Sequence, residues 1–340
     1  MSKRIVCLGE LLLRLGAPGH ELLLQSPLLA VHVGGAEANV ALSLALFGER
    51  ASMVSALPAN ALGDAAIGEL RRHGVDTAGI VRVEGARMGL YFIATGALQR
   101  PSDIIYDRAH SAFADVDPDR FDWDALLDGA NALHVSGVTP AIGANGTELA
   151  LRAVRAARAR GLMVSFDGNF RAKLWAAWSG DAATITRALI DQADLVFADH
   201  RDIAIALAHA GFDGEPDAAV RSAAAAAFAA FPRLSRLCTT IRTQHSVDHH
   251  ALTAISVARD GGVERAPSYD MPGIVDRIGG GDAFAAGVLH GLRQGMGDGA
   301  ALHFGLGAAC LKHSVPGDFN RVSAADVSAF VGTGRFDVRR

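Results

Sequence analysis

Strand-length apolar runs alternate along most of this chain with alanine-rich stretches of helical length. That order specifies a parallel, doubly wound sheet flanked by helices. Ile5–Leu8, Ser52–Ser55, Ala132–Val135, Met163–Phe166 and Leu195–Phe197 read as strands. Ala36–Phe47, Leu62–His73, Thr147–Ala159 and Ala182–Asp191 read as helices, as does the alanine-rich run Ser222–Ala230. In the first helix, Val40, Leu44 and Phe47 fall on one face at helical spacing. Ligands of such folds bind at the carboxyl ends of the strands.

Two segments interrupt the alternation. Leu11–Val33 carries turn chemistry (Gly16-Ala17-Pro18-Gly19) between short apolar runs, and Met88–Tyr106 reads as two strands around Gly96–Ser102. Together they predict a small β-sheet lying over the strand ends as a lid.

Composition excludes several classes. The 340 residues are 50% hydrophobic, enough for a large core, and the net charge of −4 implies no surface for nucleic acid. No apolar stretch is long enough to span a membrane. The first residues show no signal-peptide cleavage pattern, and Cys7, Cys238 and Cys310 have no paired spacing. A cytoplasmic, reduced protein is expected.

Chemistry is concentrated at two glycine turns. In Val275–Phe284, three consecutive glycines (Gly279, Gly280, Gly281) run into Asp282, and Phe284, Val288 and Leu292 then recur at helical spacing. A glycine turn opening a helix offers free N–H groups and the positive end of the helix dipole to an anion, most simply a phosphate. Asp282 stands where a carboxylate reaches a neighbouring hydroxyl as general base. The same residues also make an ordinary capped turn. Gly34-Gly35-Ala36-Glu37-Ala38-Asn39 is a second such turn, with the Asn39 amide one turn into its helix. Arg108 and Arg171 suit a clamp on a carboxylate. His245, His249 and His250 sit in a polar segment with no Cys or HExxH pattern, so a solvated loop is expected there rather than a metal site. No Walker-A loop is present, and no G-x-G-x-x-G follows the first strand.

These segments resemble the ribokinase (PfkB) family of carbohydrate kinases, and within it the branch acting on 2-keto-3-deoxygluconate. The resemblance runs nearly end to end. It rests on GGAEAN at Gly34–Asn39, YDRA at Tyr106–Ala109, DGNFRAKLW at Asp167–Trp175, VDRIGGGDAF at Val275–Phe284 and LKHSVPGDFN at Leu311–Asn320. It implies a single ribokinase-like α/β domain over residues 1–340, with lid strands inserted at about 11–33 and 86–112. It further implies ATP-dependent phosphorylation of the 6-hydroxyl of the sugar acid, in Entner–Doudoroff-type catabolism. Asp282 then resembles the general base, and the N–H groups of Gly279, Gly280 and Gly281 the anion hole. Gly34, Gly35, Asn39, Tyr106, Arg108, Arg171 and Asp318 resemble sugar-acid contacts. Asp199, Thr240, Arg242, Gly279 and Gly281 resemble the nucleotide side, with Arg277 near the phosphates.

Two departures bear on that side. Where relatives carry Asn-x-x-Glu, this chain has Asp199 and Asp202, which suit magnesium through its water shell. The glycine-containing nucleotide loop is replaced by Thr240–Ser246. ATP and magnesium are the implied cofactors, with a monovalent cation as a further expectation. Homo-oligomers through the lid are implied as well. The rival readings are another sugar kinase of the family, such as a fructokinase, and a catalytically weak sugar-acid sensor.

Overall fold

A computed structural model describes residues 3–333. Its strands, in chain order, are β1 (Arg4–Leu8), β2 (Leu12–Gly16), β3 (Ala30–Gly34), β4 (Ala51–Pro58), β5 (Ile80–Val83), β6 (Leu90–Ala94) and β7 (Asp103–Asp107). There follow β8 (Ala130–Ser136), β9 (Met163–Asp167), β10 (Leu195–Phe197), β11 (Arg236–Gln244), β12 (His249–Ala258), β13 (Val263–Arg265) and β14 (Tyr269–Pro272). Ten strands form the main sheet in the order β13-β12-β11-β10-β9-β8-β1-β4-β5, with β14 also on β12. From β11 to β5 every pairing is parallel. The fold is therefore the doubly wound α/β architecture that the alternation specifies.

The parallel strands are buried on both faces, so they read as continuous apolar runs rather than alternating ones. Val6, Leu8, Leu133, Val135, Val164 and Phe166 face one core layer, while Ile5, Cys7 and Met53 face the other. Burying a side chain the size of Phe166 or Phe113, each fully enclosed, contributes about 2–3 kcal/mol. The first helix spans Ala36–Leu46 and is buried nearly all round, not only on the Val40–Leu44 face. It is packed between the sheet and the helix Gly280–Arg293. That helix in turn lies close against Asp298–Lys312, since a Cβ on Gly287 would come within 2.6 Å of the Gly305 Cα. This packing fixes the N-terminus of Gly280–Arg293 over the strand ends.

The four-stranded lid has the order β3-β2-β6-β7, built from the two segments that break the alternation. The far edge of the main sheet differs from expectation. The polar stretch around His245–His250 is not a solvated loop: it is the turn of an antiparallel hairpin between β11 and β12, and His250 is fully buried. All three cysteines are free and buried. Among the described residues no helix is long and apolar enough to cross a membrane.

Candidate active site

The helix Gly280–Arg293 begins at Gly279, which takes φ +83°, a left-handed conformation costly for any residue with a side chain. A Cβ there would also strike the carbonyl oxygen of Asp318. Gly280 packs on the His313 ring, and its N–H donates to the Arg277 carbonyl at 3.3 Å. Gly281 is different. It is exposed, and nothing lies within 4 Å of where its Cβ would be. The N–H groups of Gly281 and Asp282 belong to the first turn, which has no i−4 carbonyl inside the helix to receive them. The turn is thus braced behind and open in front.

Asp282 sits on that first turn and is only 8% exposed. Asn39 Nδ2 donates to Asp282 Oδ2 at 2.6 Å, joining the two glycine turns across 243 residues. Burial pushes the Asp282 carboxyl up to about 7; the Asn39 hydrogen bond and the Arg171 guanidinium pull against that rise. A carboxylate poised near neutrality meets the requirement for a general base. The amide oxygen, Asn39 Oδ1, is buried with no partner among the described residues, so it can accept from a hydroxyl.

Gly34 lets the end of β3 approach Asp318, whose side chain a Cβ would overlap; Gly35 caps the helix Ala36–Leu46 against the Glu10 carbonyl. Asp318 is buried, receives the Tyr91 hydroxyl at 2.8 Å and pairs with Arg14 Nε at 3.1 Å. Burial raises its carboxyl, against the pull of Arg14. Arg14 also donates to Asp276 at 2.6 Å, in the run leading to the glycine turn. The Lys312 ammonium, fully buried, donates to the carbonyls of Val315 at 2.9 Å and Asp276 at 3.4 Å. Burial lowers it to about 8.

The two arginines of the expected clamp have different surroundings. Arg171 is exposed at the start of the helix Ala172–Trp178, and its charge acts on Asp282 and Asp167. Arg108 is instead buried, and its Nε donates to Glu10 Oε2 at 2.6 Å. The pairing has a simple cause: an enclosed guanidinium needs a counter-charge, and Glu10, just beyond the end of β1, supplies it. Tyr106 and Arg108 line a cleft of about 410 Å³ between β7 and the helix Ala172–Trp178, and the Tyr106 ring lies 6.4 Å from Tyr91.

Of the residues expected on the nucleotide side, Asp199 and Asp202 form a capping box on the helix His200–Ala206, and Asp199 also pairs with Arg201. The Asp199 oxygens are therefore committed. Asp202 is pushed up to about 6 by burial and by Asp199. Asp167, at the end of β9, is raised well above the usual carboxylate range by burial, then by Asp282 and Asp202. This crowding of hard oxygen donors fits a magnesium ion, and Asp167 and Asp202 are the residues that would hold it. Thr240 lies on β11, its carbonyl accepting from Thr239 Oγ1 at 3.3 Å. Arg242, further along β11, is lowered by partial burial and then by the charges of Arg277 and Arg201. His250 shares their surroundings: burial, then Arg242, Arg277 and His313, lower it to about 4, and neither ring nitrogen has a partner among the described residues. Clustered guanidinium groups of this kind attract anions.

Sequence reasoning missed Arg14 and Tyr91; Asp167 and Lys312 lay within the quoted runs without a role, and His250 was read only as part of a solvated loop. Glu37 was within the GGAEAN run but passed over; it is buried and accepts from Ser136 N, Ser136 Oγ and Thr139 Oγ1. Its charge tells on both Asp167 and Asp282.

Residues 2–324 match the pfkB family carbohydrate kinase profile. A 2-dehydro-3-deoxygalactonokinase of Haloferax volcanii is 33% identical over 349 aligned residues, covering 100% of both chains. A 2-dehydro-3-deoxygluconokinase of Bacillus subtilis is 26% identical over 85% of this chain and 82% of its own. The crystal structure of a 2-dehydro-3-deoxygluconokinase of Thermotoga maritima superposes with a TM-score of 0.90 at 36% identity, covering 97% of this chain and 99% of that one. With an alignment across the whole chain and a fold that superposes end to end, the protein belongs to the pfkB family of carbohydrate kinases.

Proposed function

We propose that this kinase transfers the terminal phosphoryl group of ATP to the 6-hydroxyl of 2-keto-3-deoxygluconate. The observation that carries the chemistry is Asp282: a buried carboxylate, tuned towards neutrality, beside a glycine turn with an open front. Asp282 takes the proton of the sugar hydroxyl. The freed oxygen bonds to the terminal phosphorus, the bond from that phosphorus to the bridging oxygen breaks, and ADP leaves. The N–H groups of Gly281 and Asp282, at the open front of the glycine turn, would meet charge on the transferred phosphoryl. Magnesium, when held by Asp167 and Asp202, would neutralise phosphate charge; Arg242 and Arg277 would receive the remaining phosphates.

The sugar acid is favoured by Arg171, an exposed guanidinium whose field reaches Asp282, and by the names of the relatives. A neutral ketose is the second reading, because Glu10 already neutralises Arg108 and leaves one arginine rather than two for a carboxylate. An ADP-release screen over both epimeric keto sugar acids and fructose separates these. Turnover is expected with a keto acid, and Arg171→Ala should raise its KM by about 10-fold or more, the loss typical of a charged hydrogen bond, with little change for ATP. Preference for fructose, or equal effects on both KM values, would defeat the acid assignment.

We also propose that two copies pair through their lids. Leu22, Leu24, Leu28, Val31 and Ile105 are exposed on the lid and its connections, an apolar display that a second copy would cover. Sedimentation should show a dimer that Val31→Glu dissociates; a monomer at assay concentration would refute the pairing.

A further inference from the structure

We propose that His245, His249 and Asp270 form a second metal site, for a divalent transition metal of the zinc class, on the outer face of the β11–β12 hairpin. The sheet register brings the three together. His245 and His249 face each other across the turn, where His245 N–H donates to the His249 carbonyl at 2.9 Å. Asp270 on β14 is opposite Ala251, two residues from His249 and so on the same face of β12. Their ligand atoms all lie within 4.8 Å of one another. The two imidazole rings are 4.7 Å apart, and His249 Nε2 is already 2.7 Å from Asp270 Oδ1.

The turn is held by backbone bonds from His245 and Ser246 to the His249 carbonyl and by Ser246 Oγ donating to Asp248 at 2.7 Å. The ligand-bearing backbone is therefore fixed while the side chains stay accessible. Tetrahedral coordination at ordinary zinc bond lengths places ligand atoms ~3.3 Å apart. Rotation of partly exposed side chains is enough to reach that. Two imidazoles and one carboxylate select zinc-class ions over magnesium, which prefers oxygen donors alone. Three protein ligands leave a fourth position for water or another ligand. The site is distinct in chemistry from the carboxylates of Asp167 and Asp202. It also sits where the hairpin meets the lid, since Val247 N–H donates to the Leu98 carbonyl at 3.3 Å.

The test is titration of the chelator-stripped full-length protein with zinc by calorimetry, in excess magnesium so that hard oxygen sites are filled. One equivalent is expected to bind. His249→Gln and Asp270→Asn should each weaken binding by ~10-fold or more, while His110→Gln, at an exposed histidine on another element, should not. Cobalt should give the intense visible absorption of a tetrahedral nitrogen–oxygen site in the wild type and lose it in both ligand variants. Zinc binding that survives in the His245→Gln/His249→Gln double variant, or that magnesium suppresses, would overturn the assignment, as would absence of binding.

Discussion

Asp282→Asn should lower kcat by about 10²- to 10⁴-fold, the range lost when a general base is removed, while leaving the folded protein as stable or more so. The amide keeps the shape of the carboxylate and can still accept from Asn39 Nδ2, so the link between the two glycine turns survives. The stability argument follows from linkage. Burial raises the Asp282 carboxyl to about 7 in the folded chain, above its value near 4 in an unfolded one. The folded state therefore holds this proton more tightly. Its favourable contribution is complete below the unfolded pKa and is lost as pH rises through about 7. Above that pH the native protein carries a buried charge that the asparagine variant lacks. Melting temperatures should converge at low pH and favour the variant at pH 8. In the wild type, kcat/KM for the sugar should rise with pH around neutrality as the base ionises, and the residual activity of the variant should lack that limb. Near-normal turnover in the variant would remove Asp282 from proton transfer.

Why some of this could be read from sequence and some could not is a matter of range. Leu195–Phe197 and Met163–Phe166 declare themselves because a strand buried on both faces is a continuous apolar run. The hairpin β11–β12 does not. Its distal half, Thr239–Gln244, runs on past the end of β10 into solvent and carries Ile241 as its single apolar residue. That is how His250 passed for part of a loop. The glycine turns are local signals, complete within ten residues. Arg14 and Tyr91 meet their partners 262 and 227 residues away in the chain, and nothing in their neighbours marks those contacts. Arg108 shows the same limit from the other side. A guanidinium beside a tyrosine at a strand end suggests a substrate clamp, yet Glu10, 98 residues earlier, decides where its charge goes. The lid was legible because its two segments break a regular pattern, whereas the chemistry beneath it depends on which distant side chains the lid encloses.

Gly281→Ala is the sharper probe of the anion cradle, because fold and function should move in opposite directions. The residue lies in the first turn with ordinary helical backbone, and among the described residues nothing beyond its own helix turn is within 4 Å of the new methyl group. Replacing glycine by alanine at an unstrained helical position stabilises by about 0.5–1 kcal/mol. Tm should therefore rise slightly. The methyl group points into the open front of the turn, where the transferred phosphoryl has to sit against the backbone N–H groups. Losing that approach should cost about 10²-fold or more in kcat/KM for ATP, comparable to removing a donor from an oxyanion hole. Gly279→Ala makes the contrast. There the backbone is left-handed and the methyl group runs into the Asp318 carbonyl, so stability and activity should fall together. If Gly281→Ala folds as expected and keeps wild-type kinetics with ATP, the phosphoryl group does not rest on this turn. Asp282 would then be a buried first-turn carboxyl with an elevated pKa, and the base would have to be sought among Asp167 and Asp318.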